Sequence, residues 1–144
     1  MENTAKTRKF LIATHGTFAA GVKSSLDIII GAMEHIFLIE AYLDEKISVE
    51  TQINEVMTQV SDADELIIFA DILGGSITNQ ILQHALRPNV HVVSGFNLPL
   101  LIEVLMADAE TPAEEVITAA LENAKEQMTY VNKLLTAQKE DQDD

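Results

Sequence analysis

No cysteine occurs anywhere in the 144 residues. That removes disulfides, thiolate metal sites and cysteine nucleophiles together, and it fits a reducing compartment. Basic residues are scarce: 9 lysines and arginines stand against 23 aspartates and glutamates, for a net charge of -14. Such a surface repels phosphate backbones and anionic lipid, so nucleic-acid or membrane binding is not expected, while solubility is favoured. Part of the acidity is local, in Lys139-Glu140-Asp141-Gln142-Asp143-Asp144, which reads as a solvated tail (139–144). Long apolar runs are missing too. Behind Met1-Glu2-Asn3-Thr4-Ala5-Lys6-Thr7-Arg8-Lys9 only about five apolar residues follow, short of a signal peptide's core and of the ~20 needed for a membrane span. The expectation is a cytoplasmic protein with no direct membrane insertion. No glycine-rich loop ends in Gly-Lys-Ser or Gly-Lys-Thr, which excludes a P-loop nucleotide site.

What is present is an ordinary core-forming composition, with 47% hydrophobic and 22% charged residues. The length suits one domain, and no repeat, low-complexity stretch or linker divides it, so 1–144 is read as a single domain. Four short apolar runs, Phe10–Thr14, Ile36–Tyr42, Leu66–Ala70 and Val90–Val93, are rich in β-branched or aromatic residues and lack clear alternation. They are expected as strands buried on both faces of a parallel sheet. Helical spacing is expected over Thr17–Gly31, Ser48–Val60, Gly75–Leu86 and Leu98–Met106. A last helix is expected to start at a capping box, Thr111-Pro112-Ala113-Glu114, and to run unbroken through a stripe of Ile117, Ala120, Leu121, Ala124, Met128, Val131 and Leu135. Strands alternating with helices predict an α/β, doubly wound, mainly parallel sheet with helices on both faces and right-handed crossovers.

In such a sheet, sites form beyond the carboxyl ends of the strands, where strand order reverses. The first strand exits into Thr14-His15-Gly16 and the third into Asp71-Ile72-Leu73-Gly74-Gly75-Ser76. If the two strands are neighbours, His15 and Asp71 face one crevice. A carboxylate accepting one ring N–H fixes the tautomer and leaves the other nitrogen as a nucleophile. When that nitrogen takes a phosphoryl group the ring gains positive charge, which the carboxylate stabilises. Gly74 and Gly75 let backbone amides approach phosphoryl oxygens at a helix N-terminus, Ser76 adds a hydroxyl, and Gly16 keeps access open for a bulky partner. This arrangement requires no metal and no organic cofactor, and no two histidines show metal-ligand spacing. His35, His84 and His91 are assigned no direct role. Lys23, Phe18 and Phe96 are candidates for a less acidic docking patch.

At these residues the sequence resembles the mannose-class (mannose/fructose/sorbose type) enzyme IIA family of the sugar phosphotransferase system. The resemblance rests on Thr14-His15-Gly16, on Asp71-Ile72-Leu73-Gly74-Gly75-Ser76 and Asn79, and on Gly95-Phe96-Asn97-Leu98-Pro99-Leu100-Leu101 with Glu103 and Leu105-Met106-Ala107. It covers roughly residues 9–135, in order and spacing. It implies phosphorylation of His15 by the histidine-containing phosphocarrier HPr and delivery to a separate enzyme IIB. It further implies Asp71 as partner of the ring, Gly74, Gly75 and Ser76 as phosphoryl-binding residues, and Thr14, Gly16 and Asn79 as support. Family members are typically homodimers whose sheet gains an extra edge strand near the C-terminal part. Ile77-Thr78 and Leu73 depart from the family's usual residues and alter the wall of the site. Two alternatives stand beside this reading. One is a phosphocarrier subunit of a dihydroxyacetone kinase system. The other is a receiver-like domain phosphorylated on Asp71, which would need acidic residues where Thr14-His15-Gly16 stands.

Overall fold

The computed structural model describes residues 7–142. The first six residues, most of the stretch weighed above as a leader, lie outside the described residues, as do Asp143 and Asp144 of the acidic tail. In chain order the elements are β1 (Arg8–His15), α1 (Phe18–Ile30), β2 (Ile36–Ala41), α2 (Val49–Thr58), β3 (Glu65–Ala70), α3 (Gly75–Leu82), β4 (Val90–Ser94), α4 (Leu98–Met106), α5 (Ala113–Gln127) and α6 (Val131–Gln142).

The strands pair in parallel in the order β2-β1-β3-β4. From β1 the chain winds outward to β2, then returns past β1 to β3, so the switch in direction falls between β1 and β3. Successive side chains of a strand face opposite ways, and here both faces are covered. Phe10 and Ile12 of β1 with Ile67 and Phe69 of β3 pack against α1, α4 and α5. Leu11 and Ala13 with Leu66, Ile68 and Ala70 pack against α2 and α3. This explains why the central strands read as continuous apolar runs: neither face of β1 or β3 is left to water, while edge strands β2 and β4 are only partly covered. Side chains such as Ile68 and Leu101, fully buried, each contribute about 1.5–3 kcal/mol and outweigh the surface ion pairs.

The four expected strands form the sheet, and among the described residues helices, with no further strand, follow β4. Other expectations need correction. The last helix is broken. α5 ends at Gln127, where the Thr129 hydroxyl donates to the Glu126 carbonyl (2.7 Å) in competition with the helical ladder, and α6 restarts at Val131. Met128, Val131 and Leu135, expected in the buried stripe, are exposed. Residues 139–142 of the expected tail are helical, the last turn of α6, with Lys139, Glu140 and Asp141 exposed to solvent. Thr111 does not cap α5. The capping position is Pro112, without a side-chain bond, while the Thr111 carbonyl accepts from Arg8 Nη2 (2.5 Å). That arginine is buried at the start of β1 and also donates through Nε to Glu65 Oε1 (2.6 Å), clamping the α4–α5 connection to the sheet. α3 stops at Leu82 rather than Leu86, and the His84 and Ala85 N–H groups donate to the Ile81 and Leu82 carbonyls three residues back, tight turns in place of the helical ladder. No helix among the described residues is long and apolar enough to cross a membrane.

Candidate functional site

β1 and β3 lie side by side with Ala13 opposite Ala70, where β3 ends, while β1 runs on through Thr14 to its last residue, His15, opposite Ala41 of β2, at the carboxyl edge of the sheet. There His15 meets Asp71. Its backbone N–H donates to Asp71 Oδ2 at 3.0 Å, and its ring Nδ1 lies 3.0 Å from the same oxygen and 3.2 Å from Oδ1. A carboxylate accepts only, so Nδ1 carries the proton in this pair and Nε2 keeps the free lone pair. The His15 side chain is 44% exposed and that of Asp71 11%. The acid is nearly enclosed while the imidazole is open to a visitor.

Burial pushes the Asp71 carboxyl up. The hydrogen bond from the His15 backbone, then the bond and charge of its ring, outweigh burial and hold the acid below its ordinary value of 3.8. A carboxyl depressed in the folded state contributes stability that is present above the unfolded value and lost as pH falls through the folded one. Denaturant unfolding between pH 5 and pH 3 is therefore expected to show the wild type losing its advantage over Asp71→Asn as pH drops below 3.8. Parallel stability curves across that range would refute the assigned pairing.

The sequence explains the local geometry. Thr14 is fully buried, and its Oγ1 accepts the Ala19 backbone N–H at 2.8 Å, tying the turn after His15 to the first turn of α1. Gly16 has a φ of +60°, a left-handed conformation that glycine takes at little cost, and its N–H donates to the Ala41 carbonyl at 2.9 Å. Gly74 (φ +89°) and Gly75 (φ +85°) make a turn into α3 that side chains would strain. Their exposed backbone leads to the first N–H groups of that helix, which have no intrahelical partner. Ser76 is exposed and hydrogen-bonded to the Tyr42 hydroxyl. Asn79 lies one turn further along α3, exposed, and makes no bond to the His15–Asp71 pair.

Two residues escaped the sequence reading. Thr78, noted only as a departure, is buried and donates its hydroxyl to the Ile72 carbonyl at 2.9 Å, folding the 71–74 loop back on α3. Tyr42, expected as the last residue of a strand, lies beyond β2, with its ring centroid 5.5 Å from that of His15. Of the docking candidates, Phe18 and Phe96 stack at 5.6 Å and border an apolar cavity of about 280 Å³ with Val22 and Leu101. Lys23 is engaged by Asp27 one turn along α1, at 2.5 Å. His35, His84 and His91 stand apart from the site, before β2, past α3 and within β4. No group of three histidine, aspartate or glutamate side chains suited to a metal occurs among the described residues.

A family model described as "PTS system fructose IIA component" matches residues 9–121. A solved Klebsiella pneumoniae structure, described as a phosphoenolpyruvate-dependent sugar phosphotransferase system permease, is similar at TM-score 0.87 and 36% identity, covering 94% of this chain and 98% of that one. The IIA protein associated with the fucose utilization operon of Streptococcus pneumoniae is similar at TM-score 0.69 and 27% identity, over 91% of this chain and 98% of its own. The mannose-specific EIIAB component of Escherichia coli K12 is 27% identical over 125 residues, 83% of this chain. The chain spans about 38% of the length of that relative.

Proposed function

This chain belongs to the fructose/mannose IIA family of the sugar phosphotransferase system, and we propose that within it the chain is a phosphocarrier that accepts a phosphoryl group on Nε2 of His15. The observation that carries this reading is the ring nitrogen 3.0 Å from Asp71 Oδ2 while the opposite nitrogen stays open at a strand exit. The donor is phospho-HPr and the acceptor an enzyme IIB, as the resemblance implies.

The Nε2 lone pair attacks the phosphorus carried by the donor's histidine. A new N–P bond forms as the donor's P–N bond breaks, and that bonding pair returns to the donor nitrogen. The proton on His15 Nδ1 stays on the ring, which becomes cationic beside the Asp71 carboxylate. The bonds made and broken are alike, so little driving force is needed in either direction and positioning carries most of the catalysis. The Gly74-Gly75-Ser76 turn supports binding of the phosphoryl oxygens through unpaired N–H groups at the start of α3. Delivery to enzyme IIB repeats the step with roles exchanged. The exposed Tyr130, Val131, Leu134 and Leu135 at the start of α6 support the self-association that the resemblance implies.

Incubation with enzyme I, HPr and phosphoenolpyruvate, followed by mass spectrometry under alkaline conditions, is expected to place an acid-labile phosphoryl group on His15. No transfer from HPr that is itself phosphorylated would overturn the reading, and magnesium-dependent phosphorylation by a small phosphodonor, lost in Asp71→Asn, would favour the receiver-like alternative.

A further inference from the structure

We propose, resting on the carrier reading above, that Tyr42 is a positioning residue that holds the His15 imidazole and the Ser76 hydroxyl in register for phosphoryl transfer. Three observations converge on it. The Tyr42 ring lies against the His15 ring, with centroids 5.5 Å apart and planes inclined by 33°. Its hydroxyl is hydrogen-bonded to Ser76 Oγ. Its backbone sits at φ +69°, a left-handed conformation unusual for a bulky side chain. Strain of this kind persists where the surroundings enforce it, and it gathers at functional sites.

The constraint from Asp71 is incomplete. Bonds from one carboxylate to Nδ1 fix the direction of that N–H but leave the imidazole free to swing about the hydrogen-bond axis, which sweeps Nε2 through an arc. A ring laid along one face stops that motion. Tyr42 immediately follows Ala41, whose carbonyl accepts the Gly16 N–H at 2.9 Å, so the stop is anchored to the same turn that carries the histidine. Once phosphorylated, the ring is cationic, and at 5.5 Å an aromatic face lies within the range of cation–π attraction. On the other side, a Tyr42 O–H that donates to Ser76 Oγ leaves the serine proton free for a phosphoryl oxygen. Tyr42 thus links the nucleophile and the expected phosphoryl-binding turn, two parts of the site contributed by different strands. More than half of its surface is exposed, so the core does not depend on it.

Two variants separate positioning from folding. Tyr42→Gly removes the ring at a backbone angle that glycine adopts freely, so the thermal midpoint should be little changed. Tyr42→Phe keeps the ring and loses only the link to Ser76. In rapid-quench assays with saturating phospho-HPr, kcat is expected to fall roughly 10-fold for Tyr42→Gly and about 3-fold for Tyr42→Phe, with KM for the donor nearly unchanged. Nuclear magnetic resonance relaxation of the His15 ring should show greater mobility in Tyr42→Gly than in wild type. Wild-type kcat in both variants would overturn the proposal, as would a rise in KM alone, which would make Tyr42 a docking residue. If the wild type itself accepts no phosphoryl group, the carrier reading fails. The ring relaxation, which needs no donor, then still tests Tyr42, and unchanged mobility would overturn its role.

Discussion

His15→Ala is expected to reduce phosphoryl incorporation from phospho-HPr by roughly 10⁴-fold or more, to the floor of the assay, because it removes the proposed nucleophile. No other histidine stands at this site to take its place. His35 and His91 stand at the opposite edge of the sheet, beside or near the start of their strands. The rung that pairs Phe10 with Ile36 lies five residues from His15 along β1, about 16 Å at the rise of a strand. His84 lies past the C-terminal end of α3, about 12 Å along a helix whose other end faces the site. The fold should survive, since the lost side chain is nearly half exposed and Asp71 still accepts the residue-15 backbone N–H. A stability change within about 1 kcal/mol is expected, measured by denaturant unfolding. Normal labelling of this variant would sink the central assignment.

The feature most legible in the sequence was the crevice. Strand exits at Thr14-His15-Gly16 and Asp71 could be placed because the runs before them are buried on both faces and carry no competing period. Whether those exits met depended on β1 and β3 being neighbours, which composition and spacing cannot state and the sheet order supplies. Tyr42 was hidden for a different reason. Its aromatic side chain extends the β-like pattern of Ile36–Ala41 by one residue, and nothing in the letters signals that the backbone turns left-handed there. The helix break at Met128–Tyr130 was hidden by its own periodicity, since the apolar stripe keeps helical spacing across it and no glycine or proline marks the stop. At the start of α5, the capping box failed because a residue more than 100 positions earlier, Arg8, binds the Thr111 carbonyl. Local patterns thus located elements well where burial enforced them and poorly where long-range polar contacts set the ends.

The second large effect is expected from Asp71→Asn, which should slow phosphoryl transfer about 10- to 100-fold without ending it. On the proposed reading the carboxylate has two tasks, and the amide performs them unequally. Accepting the His15 backbone N–H at 3.0 Å needs only an oxygen, which asparagine has, so the loop should hold its shape. Stabilising the ring is another matter. In the resting state Nδ1–H donates to a neutral or a charged oxygen with modest difference, but phosphorylation turns the imidazole into a cation that has lost its carboxylate partner. Hydrogen bonds to charged groups contribute about 1.5–3 kcal/mol, and the shortfall falls mainly on the transition state and product, where the charge develops. The defect should therefore lie in kcat rather than in KM for the donor, and the phosphorylated variant should hold less label at equilibrium with HPr. The amide can also rotate and present its NH2 to Nδ1, which favours the tautomer with the proton on Nε2 and blocks the nucleophile. Asp71→Ala, which loses both tasks, should be slower still and should also loosen the His15 turn. Rapid-quench rates within twofold of wild type for Asp71→Asn would show that the carboxylate's charge takes no part in transfer, and would leave it only the task of holding the loop.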